Sequence, residues 1–283
     1  MESIEFVETV ESKESMNSTK NSTNSMDSMN SKDSKPRNIK LILEYDGTNY
    51  HGWQSQAGSG TPTIQETLEQ AIKTLTGEDG KTFSSGRTDA GVHALGHVAN
   101  FRTGRTIPSE AWAPALNHLL PPDIRVLLSE EAPEEFHARY SALGKIYKYR
   151  VLNRSEPSAL FRNYAWHVKH HLNLKNMRLA AAPLVGKHDF SAFRGAGCGA
   201  KTPVRTIMSA TVKKTGDFIE IAIEADAFLR YMARNIAGTL VEVGLGRFAP
   251  EEVKRMLKCC DRTTAGRTAP PQGLYLVKVF YRE

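Results

Sequence analysis

The segment SSGRTDAGVHA, Ser84 to Ala94, sets a carboxylate where chemistry could use one. Two glycines bracket Arg87-Thr88-Asp89-Ala90, and glycine accepts backbone dihedrals that other residues avoid, so the chain bends sharply here. A carboxylate held in a rigid turn can act as a nucleophile or a general base. The residues alone also fit a solvated surface turn. A lone Asp-Ala-Gly does not separate these readings.

Three more stretches carry polar residues that a fold alone would not demand. FHARYSALGKIYKYR interleaves His137, Arg139, Tyr140, Lys145, Tyr147, Lys148, Tyr149 and Arg150. Bases contact phosphate, and aromatic faces stack on unpaired nucleobases. With a period of two, Tyr147 and Tyr149 share one strand face. An aromatic core face opposite a basic solvent face accounts for the same pattern. In AFLRYMARNIAGTLVEVG, a helix spanning Ala227 to Val243 puts Arg230 and Arg234 on one face together with Gly238. An arginine buried on an apolar helix needs an acidic partner, for which Asp89 is a candidate; two surface arginines are the alternative. His93 and His97 have the i, i+4 spacing that ligates metal on a helix. No acid stands where a zinc-hydrolase motif needs one, and the flanking residues read as turn and strand, so no metal site is assigned. Neither a P-loop nor a GxGxxG is present, so no nucleotide cofactor is expected.

The elements that must position these residues follow from periodicity. KLILEYDG reads as a strand ending in an Asp46-Gly47 turn. Thr63-Ile64-Gln65-Glu66 is a capping box. The helix after it lines up Ile64, Leu68, Ala71, Ile72 and Leu75 and stops at Gly77. HVANFRT, DIRVLLSEEA, KIYKYRVLNR and GLYLVKVFY read as strands, Pro108 to Leu120 and PEEVKRMLKCC as helices, and NLKNMRLAAAPLVG as a helix ending near Pro183. TIMSATVKK and DFIEIAIEAD form a hairpin about Thr215-Gly216. Strands and helices mix in both halves of the chain and a hairpin joins strands, so the fold class is α+β with largely antiparallel sheets.

Composition narrows the partners. The 283 residues carry a net charge of +6 and 40% apolar side chains. Residues 1 to 37 hold seven acids and five bases, a net of −2, which leaves +8 for the rest. A basic body suits an anionic partner, of which nucleic acid is the commonest. The same 1–37 stretch is rich in Ser, Asn, Thr and Met, carries too little apolar surface to order itself, and reads as a disordered tail. Cys198, Cys259 and Cys260 form no spaced pairs, which fits reduced thiols in a cytoplasmic protein rather than a disulfide framework or a zinc site. No apolar run is long enough to span a bilayer, and the acidic N-terminus is no secretory signal.

Seven motifs in order then match a family. EYDGTNYHGWQ, GRTDAGVHA, FHARYSA, KIYKYR, TPVRTI, AFLRYMARNIAG and GLYL resemble the tRNA pseudouridine synthases of the TruA type, over Lys40 to about Tyr281. The resemblance implies an isomerase that needs neither metal nor cofactor. It would convert uridine to pseudouridine at positions 38, 39 and 40 in the anticodon arm of tRNA. It also implies two similar α+β halves, 38–142 and 143–283, with helices on one face and a basic cleft between them, and a homodimer that cradles tRNA. Asp89 stands where the family has its catalytic carboxylate. Tyr147 matches the tyrosine that stacks on the target uracil and can take a proton, Arg234 the arginine paired with the aspartate, Leu274 an apolar neighbour of the base, and Arg87 the residue that fills the gap left by a flipped base. Arg230 and Tyr231 depart from the family's usual aromatic or histidine pair and receive no role. The alternatives are a non-catalytic tRNA- or RNA-binding protein on the same fold and, from a third class, a metal-dependent hydrolase using His93 and His97.

Overall fold

Alternation of apolar and polar residues builds one sheet. In β1, Arg37–Tyr45, residues Ile39, Leu41, Leu43 and Tyr45 are buried, whereas Lys40, Ile42 and Glu44 between them are not. In β9, Phe218–Ala225, the buried set is Ile219, Ile221, Ile223 and Ala225. Such strands bury one face and leave the other partly open. The computed structural model describes residues 36–54 and 60–282. The tail reading therefore falls almost wholly outside the described residues.

The remaining strands are β2, Phe83–Ser84; β3, His93–Thr103; β4, Ile124–Ala132; β5, Gly144–Leu152; β6, Trp166–His167; β7, Gly186–Asp189; β8, Val204–Thr215; and β10, Leu274–Phe280. The sheet runs in the order β4-β1-β3-β10-β5-β9-β8-β7, with β2 beside β3 and β6 beside β5. Neighbours are antiparallel except at β3/β10 and β5/β6. The last strand thus lies in the middle, between β3 and β5. Its register pairs Tyr275 with His93 on one side, and Leu274 with Tyr149 and Leu276 with Tyr147 on the other. The α+β class with a mostly antiparallel sheet agrees with the sequence reading.

The helices are α1, Ile64–Thr76; α2, Trp112–Leu119; α3, Leu174–Ala181; α4, Met232–Gly244; and α5, Glu252–Cys259. Helix α2 packs on β4, α3 on β8 and α4, and α4 on β5. None is long and apolar enough to cross a membrane. The capping box forms as read: Thr63 Oγ1 accepts from the Glu66 amide at 3.2 Å, and Glu66 Oε2 accepts from the Thr63 amide at 3.1 Å. Gly77 closes α1 with φ of 74°. The hairpin turn falls one residue later than expected, because Thr215 still pairs with Phe218 and Gly216, at φ 58°, begins the loop.

The helix expected from Ala227 starts only at Met232. Tyr231 sits in the left-handed region at φ 62°, and the Arg230 carbonyl accepts from the Gly195 amide at 2.8 Å instead of joining a helix. Arg230 and Arg234 therefore do not share a helix face. The histidine pair is corrected too. His93 and His97 both lie on β3, where four residues span about 13 Å, too far for one ion.

Replacing the cap, Thr63→Ala, leaves the Glu66 amide of α1 without its side-chain acceptor. It should lower stability by about 1 kcal/mol, read as a shift of the urea midpoint at unchanged slope.

Candidate active site

The loop after β1 exists to hold the Asp89 turn. Trp53 donates its amide to the Thr88 carbonyl at 3.1 Å, and Gly91 donates to the Tyr50 carbonyl at 3.4 Å. Between them, Gly52 has φ of 81°, and a Cβ there would lie 2.3 Å from the Thr88 oxygen. Only glycine allows this approach. From below, Tyr45 Oη and Thr88 Oγ1 are 2.9 Å apart, and Tyr45 is buried. The motifs EYDGTNYHGWQ and GRTDAG, some forty residues apart in sequence, thus form one clamp.

Asp89 projects from this turn with its side chain 31% exposed, and its Oδ2 accepts from Arg234 Nη1 at 2.9 Å. Arg234 belongs to the first turn of α4 and is itself only 13% exposed. Its Nε donates to the Ala269 carbonyl at 2.8 Å, and its own carbonyl accepts from the Ala269 amide at 3.1 Å. That loop can approach because Gly238 has no side chain: a Cβ there would lie 1.8 Å from the Arg267 oxygen. The acidic partner that sequence could only nominate is in contact.

Tyr147 lies on β5, 8% exposed, with its ring edge-on to Phe228 at 4.8 Å between centroids. Burial pushes its phenol far above the usual tyrosine range, and the charge of Asp89 adds to this. Leu274 opens β10, 6% exposed. Arg87 is exposed and donates from Nε to Gln54 Oε1 at 3.0 Å, apart from the ion pair. So the structure joins Asp89 to Arg234, sets Tyr147 within reach of the Asp89 charge, puts Leu274 on the strand beside Tyr147, and leaves Arg87 at the rim.

The interleaved stretch sorts itself. Tyr149 is core: its hydroxyl donates to the Pro270 carbonyl at 2.7 Å, and its ring meets Trp166 edge-on. Arg150 and Lys148 face Glu220 at 3.0 and 3.8 Å. Lys145 was read as a phosphate contact, and the structure makes it a strut. Its Nζ donates to the Ser85 carbonyl at 2.5 Å beneath the Asp89 turn. Burial, aided by the Arg139 charge, brings its pKa down to about 8. Tyr140 remains exposed, with the Arg139 guanidinium 5.7 Å from its ring.

His97 is a core residue, stacked on Trp53 at 3.9 Å. Among the described residues no group of three His, Cys, Asp or Glu side chains is placed to hold a metal ion. Sequence reasoning gives Tyr231 no role, names Lys145 only as one base of its stretch, and does not find Ala269. The left-handed φ of Tyr231 and the burial of Lys145 have no local signal, and the contact of Ala269 is through its backbone.

Burial, with the Lys145 charge added, brings the His97 pKa down to about 3, against about 6.5 in an unfolded chain. Unfolding therefore takes up a proton below pH 6.5, and stability that is full above that pH is lost as pH falls toward 3. About 2 kcal/mol should disappear between pH 7 and pH 5. Urea unfolding at the two pH values checks this, and His97→Gln should remove about that much of the difference.

The comparisons with known proteins identify the family. The family model described as tRNA pseudouridine synthase matches residues 41–141 and 180–282. A protein of Thermoanaerobacter sp. (strain X514) named tRNA pseudouridine synthase A is 51% identical over 245 residues, covering 87% of this chain and 100% of that protein. Proteins of the same name from Acetivibrio thermocellus and Geotalea uraniireducens are each 49% identical over 245 residues, 87% of this chain and 100% of each relative. With matches over most of its length, and with the Asp89 turn and its arginine in contact, this chain belongs to the tRNA pseudouridine synthase family.

Proposed function

We propose that this chain isomerises uridine to pseudouridine at positions 38, 39 and 40 in the anticodon arm of tRNA, with Asp89 as the catalytic carboxylate. The observation that carries the reading is the 2.9 Å pair between Asp89 and Arg234, in a chain of this family. The reaction breaks the bond from the ribose to N1 of uracil, turns the base, and makes a bond from the ribose to C5. The proton on C5 leaves and N1 gains one, so nothing is consumed and no redox step arises.

The residues take the following parts. A base within a stem is out of reach and must leave the stack, at a cost of a few kcal/mol. Arg87, exposed at the rim, occupies the space the base vacates. Asp89 meets the flipped nucleoside, with its orientation fixed by Arg234. The Tyr147 ring and Leu274 hold the detached uracil from the apolar side while it turns. The Tyr147 phenol, like any tyrosine, is protonated near neutral pH, and burial raises its pKa further, so its ring face is the part offered to the base.

The halves 38–142 and 143–283 flank a basic cleft, the first supplying Asp89 and the second Tyr147, Arg234 and Leu274. The same family model matching 41–141 and again 180–282 supports this reading. The exposed Tyr140 beside Arg139 suits stacking against RNA. A cytoplasmic homodimer, as in the family, is the form proposed to bind tRNA.

The direct test uses an unmodified tRNA transcript with uridine at position 39, wild-type protein and Asp89→Asn, and EDTA throughout. Carbodiimide labelling and primer extension should give a stop at that site with wild type only, while the variant binds tRNA within about twofold of wild type. Turnover by Asp89→Asn would sink the role of Asp89. No stop with either protein, despite tight binding, would favour a non-catalytic tRNA-binding protein. In the same assay Arg87→Ala should slow single turnover about tenfold while Kd moves less than about threefold, since one contact is a small part of a large basic surface. Equal losses of rate and affinity would count against gap filling.

A further inference from the structure

Tyr231 stands just ahead of α4, and its setting is unusual in three respects. Its backbone is left-handed, at φ 62°. Its ring has two guanidiniums over it, with Arg230 Cζ 4.9 Å and Arg234 Cζ 5.1 Å from the ring centroid. It also rests against a glycine loop: a Cβ on Gly195 would come within 2.4 Å of the ring. A bulky non-glycine residue in this region is a conformational outlier that costs about 1–3 kcal/mol and persists only where the surroundings fix it.

The surroundings do fix it. The Arg230 carbonyl accepts from the Gly195 amide at 2.8 Å, and the Tyr231 carbonyl accepts from the Asn235 amide at 2.8 Å, which starts α4. Arg230 Nη1 donates to the Ala196 carbonyl at 3.1 Å, and its Nη2 to the Tyr231 hydroxyl at 3.2 Å. The Tyr231 side chain is therefore held by Arg230 and by the backbone of the loop at Gly195 and Ala196. Its other neighbour, Arg234, has Nη1 on Asp89 and Nε on the Ala269 carbonyl. Those two bonds lie in the guanidinium plane and fix its in-plane position. They do not stop the plane from tilting. A ring close to the guanidinium carbon does, and the attraction between a cation and an aromatic face favours that arrangement.

We propose that Tyr231 is a positioning residue for the reaction: its ring, clamped by Arg230 and the Gly195–Gly197 loop, sets the orientation of Arg234 and through it the carboxylate of Asp89. This rests on the reading of Asp89 and Arg234 as the catalytic pair. The hydroxyl is secondary, since its hydrogen bond is to Arg230 and not to Arg234.

Tyr231→Asn, Tyr231→Leu and Tyr231→Phe test this with full-length protein and a uridine-39 transcript. Asparagine tolerates the left-handed region, so it removes the ring and spares the backbone. The Asn variant should lose about 3- to 30-fold in kcat, the range of one cation–π contact, with KM within twofold and Tm unchanged. The Leu variant should lose as much. The Phe variant should recover to within about twofold of wild type. The Arg234 Nε–H resonance, shifted by the ring in wild type and Phe, should move in Asn and Leu. Normal kcat in the Asn and Leu variants, a Phe variant as slow as the Asn variant, or losses that track KM or Tm alone would each overturn the proposal. Asp89→Asn run alongside separates the two ideas. An inactive Asp89→Asn beside a fully active Tyr231→Asn removes only the role of Tyr231, and an active Asp89→Asn removes the site reading beneath it.

Discussion

Asp89 and Arg234 are 145 residues apart in the chain, and their contact is what the rest of the site is arranged around. A partly buried ion pair gains little by itself, because the cost of desolvating its charges offsets much of their attraction. The structure adds what the pair lacks. Arg234 keeps a second acceptor at the Ala269 carbonyl and an aromatic ring against its plane. A lysine could not serve here: it has one charged atom and no plane to orient. The choice of arginine thus follows from the need to fix a direction as well as a charge.

A direction is useful only if the carboxylate cannot wander. Fixing a turn costs conformational entropy, and here backbone contacts meet that cost. The loop from Asp46 to Trp53 covers the turn on one side, and Lys145 reaches the Ser85 carbonyl from beneath. Both anchors are carried by strands paired on both sides, the loop by the C-terminal end of β1 and Lys145 as the second residue of β5. β10 between β3 and β5 then brings Leu274 and Tyr147 to neighbouring strands. The wall against which a uracil would turn is therefore made of strands from the interior of the sheet, while Arg87 and Tyr140, the groups read as touching RNA, are exposed.

The role proposed for Tyr147 rests on the same packing. A phenol buried beside a carboxylate is costly to ionise, so the ring offers a flat apolar surface at neutral pH. That suits a reaction in which a planar base must be held without being bonded. The paired burial of Tyr147 and Tyr149 also shows how one strand face can divide its work: the first ring faces the site, and the second is core and anchors the Pro270 loop.

Much was legible in order along the chain. Alternation in β1 and β9, the Thr63 cap and the glycine turn about Asp89 are local properties, set by side-chain period and backbone preference, and they survive folding unchanged. The motif residues Asp89, Tyr147, Arg234 and Leu274 could be named because their types and order resemble a family. Non-local packing decided what remained. AFLRY has helical periodicity, yet the Gly195 amide takes the Arg230 carbonyl and Tyr231 turns left-handed, so α4 starts late and Arg230 leaves the face it was assigned. Lys145 looks like any strand lysine until the Asp89 turn closes over it. The final strand inserts between two earlier ones, and no periodicity encodes a strand's neighbours. Sequence by itself determined which residues are suited to the chemistry and which local elements carry them. Tertiary structure alone decided which of those residues meet, because contact between distant segments depends on the order and register of the sheet.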